Sequence, residues 1–211
     1  PLPASQEPEV SGDPVRFFTQ HLRDKFNRAL EAERARGGSG GRDPAGLAGV
    51  DATIEARVEG VGRWYLDIEA GRMSVREDPR HAPFLTLAHD AEAFAALERA
   101  AGASAMGFVG AVAGLGGELR LTRERVDALR AVDGCVDVTL RGEGGFSLRA
   151  HFGASPMPEA PDCRIAIDAE VAEQLRAGAL EVEDAFLSGR VDIEGDVQKA
   201  MQLALAVLSA D

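Results

Sequence analysis

Lysine is nearly absent from this chain: Lys25 and Lys199 are the two lysines among 211 residues. Arginine supplies the rest of the 23 basic side chains, against 35 acidic ones, for a formal net charge of −12. Phosphate binding along a nucleic acid needs a basic stripe, and no basic cluster in the linear sequence stands clear of carboxylates, so no nucleic-acid partner is expected. Cysteine is as scarce. Cys135 and Cys163 are too few for a disulfide framework and lack the Cys-x-x-Cys spacing of zinc or redox sites, so both are expected as small buried residues in strands. No apolar run reaches the length of a membrane-spanning helix. The start, Pro1-Leu-Pro-Ala-Ser-Gln-Glu-Pro8, is polar and proline-rich rather than like a signal peptide, which points to a cytoplasmic protein.

Catalytic signatures are also missing. Gly102-Ala-Ser104-Ala-Met106 departs from a nucleophile elbow at its last residue and lies between two predicted helices instead of after a strand. Gly114-Leu-Gly116-Gly117 has neither the third glycine nor the preceding strand of a dinucleotide fingerprint, and no Gly-Lys-Ser/Thr makes a phosphate loop. His21, His81, His89 and His151 are scattered without metal-ligand spacing. Glu181, Glu183 and Asp184 suit a helix N-terminus better than general acid catalysis. No reaction, metal or cofactor is assigned on these grounds.

What is present is a core-forming composition, 45% hydrophobic, in a chain long enough for one full core or two small ones. Residues 1–12 read as a disordered tail. Asp13-Pro14 supplies a cap and a first-turn proline, and Val15, Phe18, Leu22, Phe26 and Leu30 mark one face of a helix running to Gly37. A flexible Gly37–Gly41 loop follows. Asp51–Val58 and Arg63–Glu69 alternate around Gly60-Val-Gly62 as a hairpin, with two short strands near Met73–Arg76 and Phe84–Ala88. Asp90 opens a helix, an Ala/Gly-rich segment spans 101–117, and a further helix runs from Arg123 to Val132.

The second half repeats the first. Val50-Asp51, Gly60, Trp64, Leu66 and Gly71 match Val132-Asp133, Gly142, Phe146, Leu148 and Gly153, every pair 82 positions apart. Leu97, Phe108, Gly117 and Leu119 match Leu175, Phe186, Gly195 and Val197 at an offset of 78. This period is too long for a solenoid and suits two copies of a small α+β unit, bounded at 13–118 and 119–211.

Near the C-terminus, Ala185-Phe-Leu-Ser-Gly-Arg-Val-Asp-Ile-Glu-Gly-Asp196 encodes a short helix stopped by Gly189, a half-buried strand, a glycine turn and a capping aspartate. A terminal helix follows in which Val197, Ala200, Met201, Ala204 and Leu208 recur at helical spacing, and Leu203, Leu205 and Val207 widen the apolar stripe. With Cys163-Arg-Ile-Ala-Ile-Asp168 and Phe17-Phe18, this order resembles the sterol carrier protein type 2 family, well over 119–211 and more faintly over 14–118. In the first unit Gly110–Gly117 stands where the family has a strand, so that strand is expected to be degraded.

The resemblance implies an α+β fold of two sterol-carrier-like units, each a mainly antiparallel curved sheet covered by helices. It also implies non-catalytic binding or transfer of a sterol, fatty acyl chain or other lipid in a cavity between sheet and C-terminal helix. Phe186, Leu187, Val191, Ile193, Met201, Leu205 and Leu208 are its cavity candidates, with Trp64, Phe94 and Phe108 from the first copy. A second reading is an interaction or scaffold protein whose tunnel has closed and which engages a protein partner.

Overall fold

Asp13 and Pro14 begin the first helix as their order predicts. The Asp13 carboxylate accepts hydrogen bonds from the amides of Val15 and Arg16, at 3.0 and 3.4 Å, and Pro14 fills the first turn, where its missing N–H is not needed. The computed structural model describes residues 12–36, 50–101, 123–176 and 179–208. In it, helix α1 joins Pro14–Arg16, a π-helical stretch Phe17–Leu22 and Arg23–Arg36. The widened turn directs the adjacent Phe17 and Phe18 inward together with Leu22. The tail at 1–12, the Gly37–Gly41 loop and the Ala/Gly-rich segment with Phe108 lie outside the described residues, apart from Gly12 and Ala101.

The strands are β1 (Ala52–Val58), β2 (Gly62–Glu69), β3 (Arg72–Arg76), β4 (Leu85–His89), β5 (Gly134–Arg141), β6 (Phe146–Phe152), β7 (Cys163–Asp168) and β8 (Val191–Gly195). They form one eight-stranded sheet in the order β3-β2-β1-β4-β6-β5-β7-β8. β1/β4 and β5/β7 pair parallel, and every other pairing is antiparallel. The fold is therefore α+β with a mostly antiparallel open sheet. The expectation of a separate sheet for each half is corrected: β4 pairs with β6, so the halves share one sheet. Residues 154–158, offset by 82 from β3, contain Pro156 and Pro158, which offer no N–H to a ladder. The edge of β6 that such a strand would take is occupied by β4 instead.

Alternation divides the sheet into two unlike faces. One buries Ala52, Ile54, Ala56 and Val58 of β1, Leu66 and Ile68 of β2, Leu85 and Leu87 of β4, Val136 and Val138 of β5, and Leu148 and Ala150 of β6. All the helices whose apolar sides enter this core lie here: α1, α2 (Ala91–Ala101), α3 (Arg123–Val132), α4 (Ala169–Arg176), α5 (Val182–Leu187) and α6 (Val197–Leu208). Beneath α1 and α2 the space is filled by rings, with Phe18 stacked on Trp64 at 4.9 Å and Phe17 edge-on to Phe94 at 5.2 Å. The opposite face is polar, yet Thr53, Glu55, Asp67, Thr86 and His151 are buried there. Thr53 donates to Asp67 Oδ1 at 2.5 Å and Thr86 to Glu55 at 3.3 Å, while Asp67 Oδ2 has no hydrogen-bond partner among the described residues and faces the Arg76 guanidinium at 3.8 Å.

Candidate functional site

The C-terminal junction is built by local backbone chemistry. α5 ends on Ser188, whose amide donates to the Asp184 carbonyl, and Gly189 follows at φ +69°, the left-handed position that stops a helix. The chain runs out as β8 and turns at Gly195, φ +91°, where an added Cβ would meet the Asp162 carbonyl oxygen at 2.5 Å. Asp196 then caps α6 by accepting from the Lys199 amide at 2.9 Å. Lys199 also pins α6 to its neighbour. Its ammonium donates to the carbonyls of Val132 and Asp133, at 3.0 and 3.3 Å, a cation at the C-terminal end of α3. Gly134 leaves room for the lysine stem, which a Cβ there would approach to 2.7 Å.

Two apolar clusters meet on the helical side of β7 and β8. The main core takes Ala200, Leu203 and Ala206 from α6. A smaller cluster holds Ile167, Val171, Ala172, Leu175 and Ala185 under α4 and α5. Leu140 and Ile165 touch both clusters. Along this seam lie Val191 and Ile193, each partly buried, and apolar side chains that the fold leaves in solvent: Phe186 at 36% exposure, Leu187 at 81%, Val197 at 42% and Met201 at 49%. Burying one such side chain is worth about 1.5–3 kcal/mol, so each of the four would gain from an apolar contact.

The structure thus brings Phe186, Leu187, Val191, Ile193 and Met201 to the β7–β8 end of the sheet. One expectation is corrected. Met201 is not on the inner face of the terminal helix: the inner face is Ala200, Leu203 and Ala206, small enough in two positions for α6 to lie close on the sheet beside α3. The side chains of Leu205 and Leu208 are outside the described set. Trp64 and Phe94 sit elsewhere, packed among Phe17 and Phe18 as filled core, with Phe94 fully buried. Ile165 and Leu140, which link the two clusters, were not singled out by the sequence; their alternation marked them as inward, without indicating that two helix groups would part above them.

The nearby cysteines carry no activated thiol. Burial pushes Cys135 and Cys163 up to about 11, and both are free and buried. Among the described residues, no helix is long and apolar enough to cross a membrane.

Residues 118–207 match the family model described as SCP-2 sterol transfer family. No curated protein matches the chain. Among solved structures, it is similar to sterol carrier protein 2 of Yarrowia lipolytica in the apo form, at 16% identity over 38% of this chain and 76% of that one, TM-score 0.30. It is similar also to sterol carrier protein 2 like 2 of Aedes aegypti, at 18% identity over 54% and 94%, TM-score 0.32. A UbiJ-SCP2 ubiquinone synthesis protein gives 21% identity over 44% and 84%, TM-score 0.30. Superposition at these scores adds nothing to the site, and the family likeness rests on the sequence match over residues 118–207. From β5 to α6 the chain is thus similar in sequence to the SCP-2 sterol transfer family, in the region that holds the Ala185–Asp196 junction.

Proposed function

We propose that this protein binds or transfers a hydrophobic small molecule, without catalysing a reaction, in the groove between the α4–α5 pair and α6 over β7 and β8. The observation that supports this reading is that Phe186 and Leu187 of α5 and Val197 and Met201 of α6 are each exposed, in a segment that matches a sterol transfer family. The cargo class is a sterol, a fatty acyl chain or another lipid. A flexible thioether such as Met201 adapts to varied apolar shapes, which suits a carrier of more than one of them.

The experiment is titration of delipidated protein with a fluorescent fatty acid and a fluorescent sterol. Phe186→Glu and Met201→Glu should each weaken uptake by about tenfold or more, since a charge facing an apolar ligand loses more than one tenfold step of about 1.4 kcal/mol. Both side chains are exposed enough that thermal stability should hold within a few degrees. Absence of uptake by the wild-type protein, or uptake unchanged in both variants, would refute the reading.

The scaffold reading keeps one observation of its own: the ring packing of Phe17, Phe18, Trp64 and Phe94 leaves the first half filled. On that view Leu187 and Met201 meet a protein partner. Native mass spectrometry separates the two, through lipid mass on the purified chain or a protein complex without lipid.

A further inference from the structure

The polar face of the sheet carries a row of residues assembled from seven strands. Register aligns Arg63 of β2 with Arg57 of β1, Arg57 with Ala88 of β4, Ala88 with Arg149 of β6, Arg149 with Asp137 of β5, Asp137 with Arg164 of β7, and Arg164 with Glu194 of β8. Four arginines thus stand in one transverse line of an acidic protein. Ala88, the one small residue in the row, lies between Arg57 and Arg149. Strands are about 4.8 Å apart, so these two arginines flank the alanine at about 10 Å, within reach of one group seated above it.

A cleft of about 980 Å³ opens over this row. All four arginines line it, together with the small side chains of Ala88, Thr139 and Ser147. Its apolar wall includes Val61, 44% exposed at the β1–β2 turn, and Met157 of the loop between β6 and β7.

The four guanidiniums meet an equal number of carboxylates, Glu55 and the lining Glu59, Asp90 and Asp137, so the cleft offers donor geometry rather than net positive charge. Glu55 accepts from Arg57 at 2.6 Å and pairs with Arg63 at 3.0 Å, so one buried carboxylate serves two guanidiniums. Asp137 serves Arg149, at 2.6 and 2.9 Å. Arg164 is exposed and has no ion-pair partner within 4 Å among the described residues. Of the other carboxylates on the lining, Asp90 also accepts the Ala93 amide at 2.7 Å, and Glu59 acts electrostatically on Arg149. Arg149 also donates to the Glu159 carbonyl at 2.8 Å, which leaves it two of its five N–H groups, and Arg57 keeps three beyond its two bonds to Glu55. Planar forks of this kind match oxyanions in two-point hydrogen bonds.

We infer that this cleft binds the phosphate group of a small molecule, seated over Ala88 between Arg57 and Arg149. Arg63 and Arg164 line the cleft on either side of them. Val61 and Met157 accommodate an apolar substituent. The sheet separates this cleft from the α4–α6 groove, so the two sites are independent.

The test is calorimetric titration of the full chain with inorganic phosphate, hexyl phosphate and hexanol. Saturable binding of either phosphate, with none of hexanol, is expected; hexyl phosphate binding more tightly identifies an amphiphile as the occupant, and equal affinity identifies the free anion. Ala88→Glu places a carboxylate in the seat and should lower phosphate affinity by more than about tenfold. Arg164→Ala, which breaks no ion pair, should lower it a few-fold. Arg141→Ala, whose arginine pairs with Asp168 and Asp192 on the same face outside the cleft, makes the same change of charge and should bind like wild type. The inference fails if neither phosphate saturates, if Ala88→Glu folds and binds like wild type, or if Arg141→Ala weakens binding as much as Arg164→Ala.

Discussion

Ala70 holds the left-handed backbone at φ +46°, beside Gly71 at +72°, in the two-residue turn between β2 and β3. Both signs are those of a type I′ hairpin, which matches the strands' twist but costs an L-residue with a Cβ about 1–2 kcal/mol. Ala70→Gly should therefore raise the unfolding free energy by about 0.5–1 kcal/mol after the entropy cost of glycine, read as a higher urea midpoint. A lower midpoint would mean that the turn relaxes around alanine. The buried histidines set a pH dependence. His89 and His151 are pushed below their ordinary value of 6.5, chiefly by burial. Asp90 opposes the shift at His89, as Asp133 and Asp162 do at His151, where Arg57 reinforces it. The unfolded chain then takes up protons before the folded one does. This contribution is complete above about pH 6.5 and is lost as pH falls through the folded values. Urea midpoints measured from pH 7.5 to 5 should decline, and a His89→Gln/His151→Gln double variant should flatten the decline. An unchanged slope in that variant would assign it to carboxylates instead.

At the scale of elements, the position of α6 depends on the turn that launches it. The Asp196 amide donates to the Asp162 carbonyl at 2.9 Å, and the same carbonyl closes the space beside Gly195. Gly195→Ala meets both an unfavourable φ and a backbone clash, so a loss of about 2 kcal/mol or more is expected, with lipid uptake falling alongside. Gly189→Ala has a similar φ but open space around it, and should cost only about 1 kcal/mol. Thermal unfolding of the two variants checks the order; equal losses would show that the Asp162 contact yields freely.

For the whole molecule, the sheet is one hydrogen-bonded ladder, and the main core draws side chains from α1, α2, α3 and α6 as well as from both halves of the sheet. A single cooperative unfolding transition is therefore expected, with the fluorescence of Trp64 in the first half and far-ultraviolet dichroism giving the same midpoint. Separate midpoints would mean that the β4–β6 pairing does not couple the halves. β1, β2 and β4 stand to one another as β5, β6 and β7 do: a hairpin whose first strand pairs parallel, on its other side, with the strand that follows. We propose that this likeness, with the offsets of 82 and 78 positions, reflects a tandem duplication. On that reading α3 and α6, 74 positions apart at their starts and 76 at their ends, are counterparts packed side by side.

Caps, turns and alternation act over a few residues, and these were legible in the sequence: Asp13-Pro14, the β1–β2 hairpin, Gly189, Gly195 and Asp196, and the inward sides of the strands. Phe186, Leu187, Val191 and Ile193 were marked as ligand contacts by the resemblance of the junction, a role that the lipid titration proposed above tests. The direction of Met201 was not, since a helix apolar on most of its circumference does not say which side meets the sheet; the packing of Ala200 and Ala206 beside α3 decided it. Nor could the linear order foresee one sheet in place of two, because the pairing of β4 with β6 joins segments far apart in the chain, one edge being denied a local strand by Pro156 and Pro158. The row from Arg63 to Arg164 depends on the same long-range registers. In sequence those arginines are spread over more than a hundred residues, and only the alignment of the strands gathers their guanidiniums around Ala88.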